Sequence, residues 1–247
     1  MIPYFIWNNV NSIDKHIIVN ELPPITRAKK RIEETIIPGR SGKLYIDDNV
    51  YDTFVYQIKC TLGPQANVRE IASWLNGTGK LIISLEEDKY YEGIVKNKID
   101  FSKVLHVFYE FPIEFELQPF AYSIKEIEHN FTKASKIYIT QSTAEICPYY
   151  RIEGKGQATI TINNKSQIIR NIDGYIELDA KIEEAYKDNQ NQNTNVVGEF
   201  LKLKPGENII EWIGSITNLK IKYRETYLWL DYMMQIAKIL TTMVLEY

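Results

Sequence analysis

His106-Val107-Phe108-Tyr109-Glu110-Phe111-Pro112-Ile113-Glu114-Phe115-Glu116-Leu117-Gln118 holds the longest apolar–polar alternation in this chain. A period of two puts Val107, Tyr109, Phe111, Ile113, Phe115 and Leu117 on one side of a strand. It puts His106, Glu110, Glu114, Glu116 and Gln118 on the other, which predicts one buried and one wet face. Pro112 stands in the polar phase and has no N–H, so the strand is expected at an edge or at a bulge. Working outward, Phe54, Tyr56, Ile58, Cys60 and Leu62 alternate with Gln57, Lys59 and Thr61. That is a second half-buried strand, with Cys60 as core packing.

One segment departs from this period. Val68, Ile71, Ala72 and Leu75 fall at helical spacing within Pro64–Asn76, with Asn67 and Glu70 as a capping pair or Pro64 in the first turn, and Gly77 as the stop. Strands are predicted over Lys80–Leu85 and Tyr90–Ile99, joined by the acidic turn Glu86-Glu87-Asp88. The long strand is expected to end near Gln118-Pro119-Phe120, followed by a polar connection to about Ser135. Beyond it, Ala158–Ile162, Ile176–Ala180, Ile209–Ile213 and Leu219–Tyr223 read as further strands. Asn163-Asn164-Lys165, Asp173-Gly174 and Pro205–Asn208 are predicted as turns between them. Lys187–Asn195, rich in Asn and Gln, is expected as an exposed loop.

The fold class is therefore mainly β: residues 1–125 as a β-rich α+β domain with one helix, and residues 126–225 as a β-sandwich. Residues 226–247 carry Trp229, Tyr232, Met233, Ile236, Ala237, Leu240 and Val244 at helical spacing. They are predicted to be a buried or partner-docked amphipathic helix, whose uninterrupted apolar run is shorter than the roughly 18 residues a membrane span needs.

With 247 residues, 45% of them hydrophobic and 25% charged, the chain can bury a sizeable core. A net charge of -3 gives no broad cationic surface for nucleic acid. Cys60 and Cys147 are the two cysteines, far apart and without a partner motif, so both are expected to be reduced. No secretory signal is visible, and synthesis in the cytoplasm is expected.

Chemical motifs fail individually. Asn76-Gly77-Thr78-Gly79-Lys80-Leu81 ends like a phosphate loop, but Trp74 replaces its first glycine and Leu81 its hydroxyl. Gly154-Lys155-Gly156 lacks the third glycine of a dinucleotide fingerprint and reads as a turn before a strand. His16, His106 and His129 are isolated, so no zinc spacing exists. The doublets Glu33-Glu34, Glu86-Glu87 and Glu183-Glu184 point to opposite faces of any strand and read as solvated turn charge. Gly39-Arg40-Ser41-Gly42 has neither the spacing of a nucleophile elbow nor a histidine tied to it; its glycines suit a tight turn, with Arg40 available for a carboxylate of a neighbouring chain. Arg27-Ala28-Lys29-Lys30-Arg31, answered by Glu33-Glu34, is too short and too neutralised for nucleic acid and predicts an exposed hairpin or an inter-subunit charge pair. No catalytic residue, cofactor site or metal site is predicted.

In order along the chain, Phe5–Ser12, Ile37–Gly42, Ile71–Leu75 with Gly77–Leu81, Phe115–Tyr122, Pro148 with Gly154–Gly156, and Gly206–Trp212 with Gly214 resemble the distal tail (Dit) protein family of long-tailed bacteriophages. The resemblance covers roughly Pro3 to Arg224. It implies a non-enzymatic hub in the virion tail tip, made in the host cytoplasm. The N-terminal domain closes a hexameric ring, and the C-terminal sandwich resembles galectin. The implied partners are the tail tube protein, the tail-tip protein and the receptor-binding protein, with DNA passing through the ring and no membrane contact. Ring closure needs head-to-tail contacts between copies, and Arg27, Lys29, Lys30, Arg31, Glu33, Glu34, Gly39, Arg40 and Gly42 are the expected interface residues. The alternative is a carbohydrate-binding module for host cell-wall glycans, which predicts an exposed aromatic platform from Tyr149, Tyr150, Tyr175 and Trp212.

Overall fold

A computed structural model describes residues 2–24, 28–96, 102–104 and 108–228. The chain divides into two compact units, one formed by the described residues up to Ala121 with Leu228, the other by Tyr122–Tyr227. The architecture is mainly β, as expected, and α1 is the one α-helix among the described residues.

In the first unit the elements are β1 (Phe5–Trp7), β2 (Val10–Asn11), β3 (Ile17–Glu21), β4 (Lys30–Thr35), β5 (Leu44–Tyr51), β6 (Phe54–Leu62), α1 (Val68–Trp74), β7 (Thr78–Ile83), β8 (Lys89–Val95), β9 (Ser102–Val104) and β10 (Phe108–Ser123). The main sheet runs β2-β1-β7-β8-β10-β6-β3, and β4 with β5 forms a separate two-stranded ribbon. Phe111 faces Cys60, Ile113 faces Ile58 and Phe115 faces Tyr56 across β10 and β6, so the apolar phases of the two strands coincide. All six side chains are buried. The polar phases coincide too: Gln57 Nε2 donates to Glu114 Oε1 at 2.8 Å, and Lys96 pairs with Glu116 at 2.9 Å. Burial pushes the Cys60 thiol up to about 12, as suits an inert core residue.

Pro112 does not mark an edge, because β10 lies between β8 and β6 and its ladder to β6 continues through Pro112↔Lys59 without a register shift. On its other flank Lys96 N bonds to Glu114 O, and β9 pairs with Phe108–Glu110. Helix α1 begins as its spacing predicts, with the Asn67 side chain accepting from Arg69 N and Glu70 N at 3.1 and 3.3 Å. Its Ile71 is buried, and Trp74 stacks on Phe5 at 5.7 Å.

The second unit contains β11 (Ile127–Phe131), β12 (Ser135–Ile139), β13 (Tyr149–Ile162), β14 (Lys165–Asp179), β15 (Glu184–Lys187), β16 (Gln190–Asn191), β17 (Val196–Val197) and β18 (Gly206–Tyr223); β19 (Thr226–Leu228) ends the described chain. Its sheet has eight strands in the order β11-β18-β13-β14-β15-β16, with β12 added on β18 and β17 on β14. The 18 residues of β18 would reach roughly 60 Å if straight. Ile210 near one end and Tyr223 at the other nevertheless share one core, so the strand must bend around it. Bulges supply the bend: the β13–β18 register slips at Glu153/Gly154 and at Gly154/Ala158. At the first slip the backbones approach so closely that a Cβ on Gly154 would lie 2.2 Å from Ser215 O.

Three sequence expectations need correction here. Gly154-Lys155-Gly156 and Asp173-Gly174 are not turns but the facing interiors of β13 and β14, paired as Gly154↔Gly174 and Lys155↔Asp173. The positive φ of Gly156 and Gly174 serves a bulge as well as a turn, so composition alone could not separate the two. The polar connection from Gln118 to Ser135 is also largely strand: β10 continues to Ser123, and β11 follows. Its charged phase hid it, since Glu128 pairs with Lys220 and Lys222 at 3.0 and 3.2 Å while Ile127 and Phe131 pack on the core. Residues 226–228 are a strand rather than the start of a helix, and the rest of the expected helical tail, 229–247, lies outside the described residues. The Asn163-Asn164 hairpin is as expected, with φ of 50° and 70°.

Gly154→Ala should destabilise the second unit by about 1–3 kcal/mol in a chemical unfolding curve, because the new methyl meets backbone rather than a movable side chain. His129 stacks on Phe131 and Tyr223, each at 5.8 Å, and burial lowers its pKa below the ordinary 6.5. The unfolded chain then takes up this proton first, so stability falls as pH drops from about 6.5 toward the lowered folded value. His129→Phe should flatten the dependence of melting temperature on pH between about 6.5 and 5; a curve parallel to the wild type would contradict this.

Candidate functional site

The β4–β5 ribbon is a two-stranded sheet of its own, and its strands are exposed along almost their whole length. The pairs Ile32↔Asp47, Glu33↔Ile46, Glu34↔Tyr45 and Thr35↔Leu44 place Ile32 and Tyr45 on one face and Ile46 and Leu44 on the other. Tyr45 is 62% exposed, and Ile36 in the connecting loop is 72% exposed. A lone two-stranded ribbon is marginally stable in water, and this one shows apolar side chains on both faces. Sequence reasoning named its charges and missed these apolar residues. The available signal was Leu44-Tyr45-Ile46, three apolar residues in a row that fit neither phase of a half-buried strand.

Local chemistry holds the ribbon in shape. Lys30 Nζ donates to Asp47 Oδ2 at 2.6 Å, and Asp47 Oδ1 accepts from Asn49 N at 2.8 Å. This fixes a bulge where Asn49 takes a φ of 58° and the register slips between Lys30 and Ile32. The hydrogen bond from Lys30 holds the Asp47 carboxyl below its ordinary value. Arg31 reaches Asp52 Oδ1 through Nε and Nη2 at 3.0 and 2.8 Å, and Lys43 pairs with Glu34. At the base, Tyr51 meets Phe120 edge-on at 5.8 Å. In the loop, Arg40 N bonds to Ile37 O at 3.1 Å, and Gly39 and Gly42 have φ of 80° and 84°. A methyl added at either glycine would meet nothing within 4 Å, so they serve the backbone turn, not a close approach.

The structure thus gathers Lys29, Lys30, Arg31, Glu33, Glu34, Gly39, Arg40 and Gly42 onto one ribbon and its loop, while Arg27 lies outside the described residues. The neutralising partners are not the neighbouring glutamates, as the sequence suggested, for Lys30 and Arg31. They are Asp47 and Asp52, contributed by β5 and the residue following it.

Other candidates are placed as follows. Glu33, Glu34, Glu183 and Glu184 are exposed, whereas Glu86 is buried, bonded to the Tyr91 hydroxyl and 3.6 Å from Lys89. Its reading as solvated turn charge is therefore wrong: the turn folds back so that Tyr91, five residues on, covers it. His16 is exposed, His129 is half-buried in the other unit, and His106 lies outside the described residues. Both cysteines are free. None of the four proposed platform aromatics is exposed. Tyr150 is buried and donates to Leu201 O at 2.7 Å, Trp212 packs on the second core, and Tyr149 and Tyr175 are half-buried and bonded to Glu177 and Asp188.

No family model and no curated protein matches the chain. Among solved structures it is similar to the Dit protein (gp 19.1) of phage SPP1, with a TM-score of 0.76 and 13% sequence identity over 92% of this chain and 100% of that one. The two share a fold. That Dit protein is described as a paradigm of the hub adsorption apparatus in phages that infect Gram-positive bacteria. The likeness to Dit spans both units and agrees with the family resemblance of the ordered motifs.

Asp47→Ala removes both the Lys30 pair and the bulge cap. Amide exchange confined to β4 and β5 should then quicken roughly two- to fivefold, the scale of an exposed ion pair, while β6 and β10 keep their protection.

Proposed function

We propose that this chain is a structural hub of a phage tail tip. It repeats as a hexameric ring that joins the tail tube to the tail-tip and receptor-binding proteins, with DNA passing through the opening. The observation that carries this reading is the fold likeness to the whole SPP1 Dit chain. The ribbon gives a physical reason for self-association. Among the described residues its apolar side chains are exposed on both faces, and head-to-tail burial of one copy's ribbon on the next would cover them and close a ring. Arg40 in the loop and Glu33 on β4 are both exposed and carry opposite charges, suited to charge pairs between copies. In this reading the chain works by positioning other proteins in the virion. It is made in the host cytoplasm, and it carries no catalytic residue, cofactor or metal.

Native mass measurement with negative-stain imaging tests the proposal. Six copies in a ring are expected, alone or with the tube protein added. The triple variant Ile32→Lys, Tyr45→Lys, Ile46→Lys should remain folded and lose the ring. A wild-type protein that stays monomeric under both conditions contradicts the hub reading, and a triple variant that assembles normally contradicts the role of the ribbon.

A further inference from the structure

We propose that the groove between β14 and the β15–β16 hairpin binds neutral oligosaccharides. It has a volume of about 350 Å³ and is walled by Asn171, Asp173, Tyr175, Lys187, Asp188 and the amides of Gln190 and Gln192. Its apolar contribution is one buried isoleucine, Ile176. Amides both donate and accept, carboxylates accept and the ammonium donates. A wall of this kind matches a ligand whose every hydroxyl can do both, and it offers little to an apolar one.

Part of the wall is tied in place before any ligand arrives. Asn191 Oδ1 accepts from Asn193 N at 3.0 Å, Asn193 Oδ1 from Ala185 N at 2.6 Å, and Gln192 Oε1 from Asn195 Nδ2 at 2.7 Å. Asn171 Nδ2 in turn donates to Asn195 Oδ1 at 3.0 Å, tying β14 to this loop. The Tyr175 ring is fixed by its hydroxyl on Asp188 and by the Arg151 guanidinium, 3.8 Å from the ring centroid. Preorganised polar groups lose little freedom on binding, which favours hydroxyl recognition in an open groove. The Asn- and Gln-rich stretch that reads as a featureless loop in the sequence is, folded, a scaffold for these amides.

Charge selects the ligand class. Lys187 is already 3.8 Å from the Asp173 carboxylate and donates to the Asp173 carbonyl, leaving Asp188 to set the local sign. A polyanion would meet that carboxylate. A metal is not favoured either, since no group of three or more His, Cys, Asp or Glu side chains among the described residues could hold one. Neutral sugar hydroxyls remain.

The inference does not rest on ring formation, and the test keeps them apart. Saturation-transfer NMR of the full chain is recorded with maltotetraose, cellotetraose, β-1,4-galactotetraose and tetra-N-acetylchitotetraose, while mass measurement monitors assembly in the same sample. At least one sugar should show transfer that weakens about tenfold or more in Asp188→Ala. Gln190→Ala, whose side chain supports no other part of the fold, should weaken it several-fold, and Lys136→Ala on β12 should leave it unchanged. Absence of transfer from all four sugars, or transfer equal in wild type and both groove variants, overturns the proposal. Competition by polyglycerol phosphate at the same groove would replace the neutral ligand with an anionic one and overturn it too.

Discussion

The first unit depends on the aromatic contacts around Phe115. Its ring lies 5.7 Å from Phe5 and 5.1 Å from Trp7, and Phe5 in turn stacks on Trp74 of the helix. One strand residue thereby joins the N-terminal hairpin, the sheet centre and α1. Burying each such ring contributes roughly 1.5–3 kcal/mol, and aromatic pairing adds to it. Trp74 Nε1 also donates to Trp7 O at 3.0 Å, so the contact has a direction as well as an area. Without this cluster α1 would be a helix of seven residues with no reason to persist.

That settled core lets the neighbouring ribbon remain uncovered. β4 and β5 draw their order from their own ladder, from ion pairs such as Lys30–Asp47 and Arg31–Asp52, and from the Tyr51–Phe120 contact at the base. None of these covers Ile32, Tyr45 or Ile46. Among the described residues the ribbon is held in place without a second layer, a condition in which an exposed strand pair can be covered by further polypeptide. In the second unit the constraint is curvature. β13, β14 and β18 are too long to lie flat over one core, and glycines and bulges such as those at Gly154 bend them around it.

Sequence reading succeeded where a residue's partner is set by local periodicity. Tyr56, Ile58, Cys60 and Leu62 are buried as their alternation requires, and Asn67 caps the helix it precedes. It failed where a distant neighbour decides the outcome. Pro112 lies in an interior strand because β8 and β6 flank β10, and Glu86 is buried where the Tyr91 hydroxyl bonds to it. Gly154 and Gly174 lie within strands because each is the other's partner across the ladder.

By itself the sequence determined the mainly β class, the helix α1 and core side chains such as Ile58, Ile113 and Ile160, since a period of two or of 3.6 needs nothing beyond the chain's own geometry. It also carried the ordered motifs of the tail-hub resemblance. Only the tertiary structure decided that the acidic and basic residues near Lys30 pair with one another along a ribbon, that apolar residues lie on both its faces, and that Gln190 and Gln192 of a polar run line a groove. These are matters of register and of burial by remote segments, and a one-residue shift in pairing, which leaves the composition untouched, would reverse which side chains face solvent.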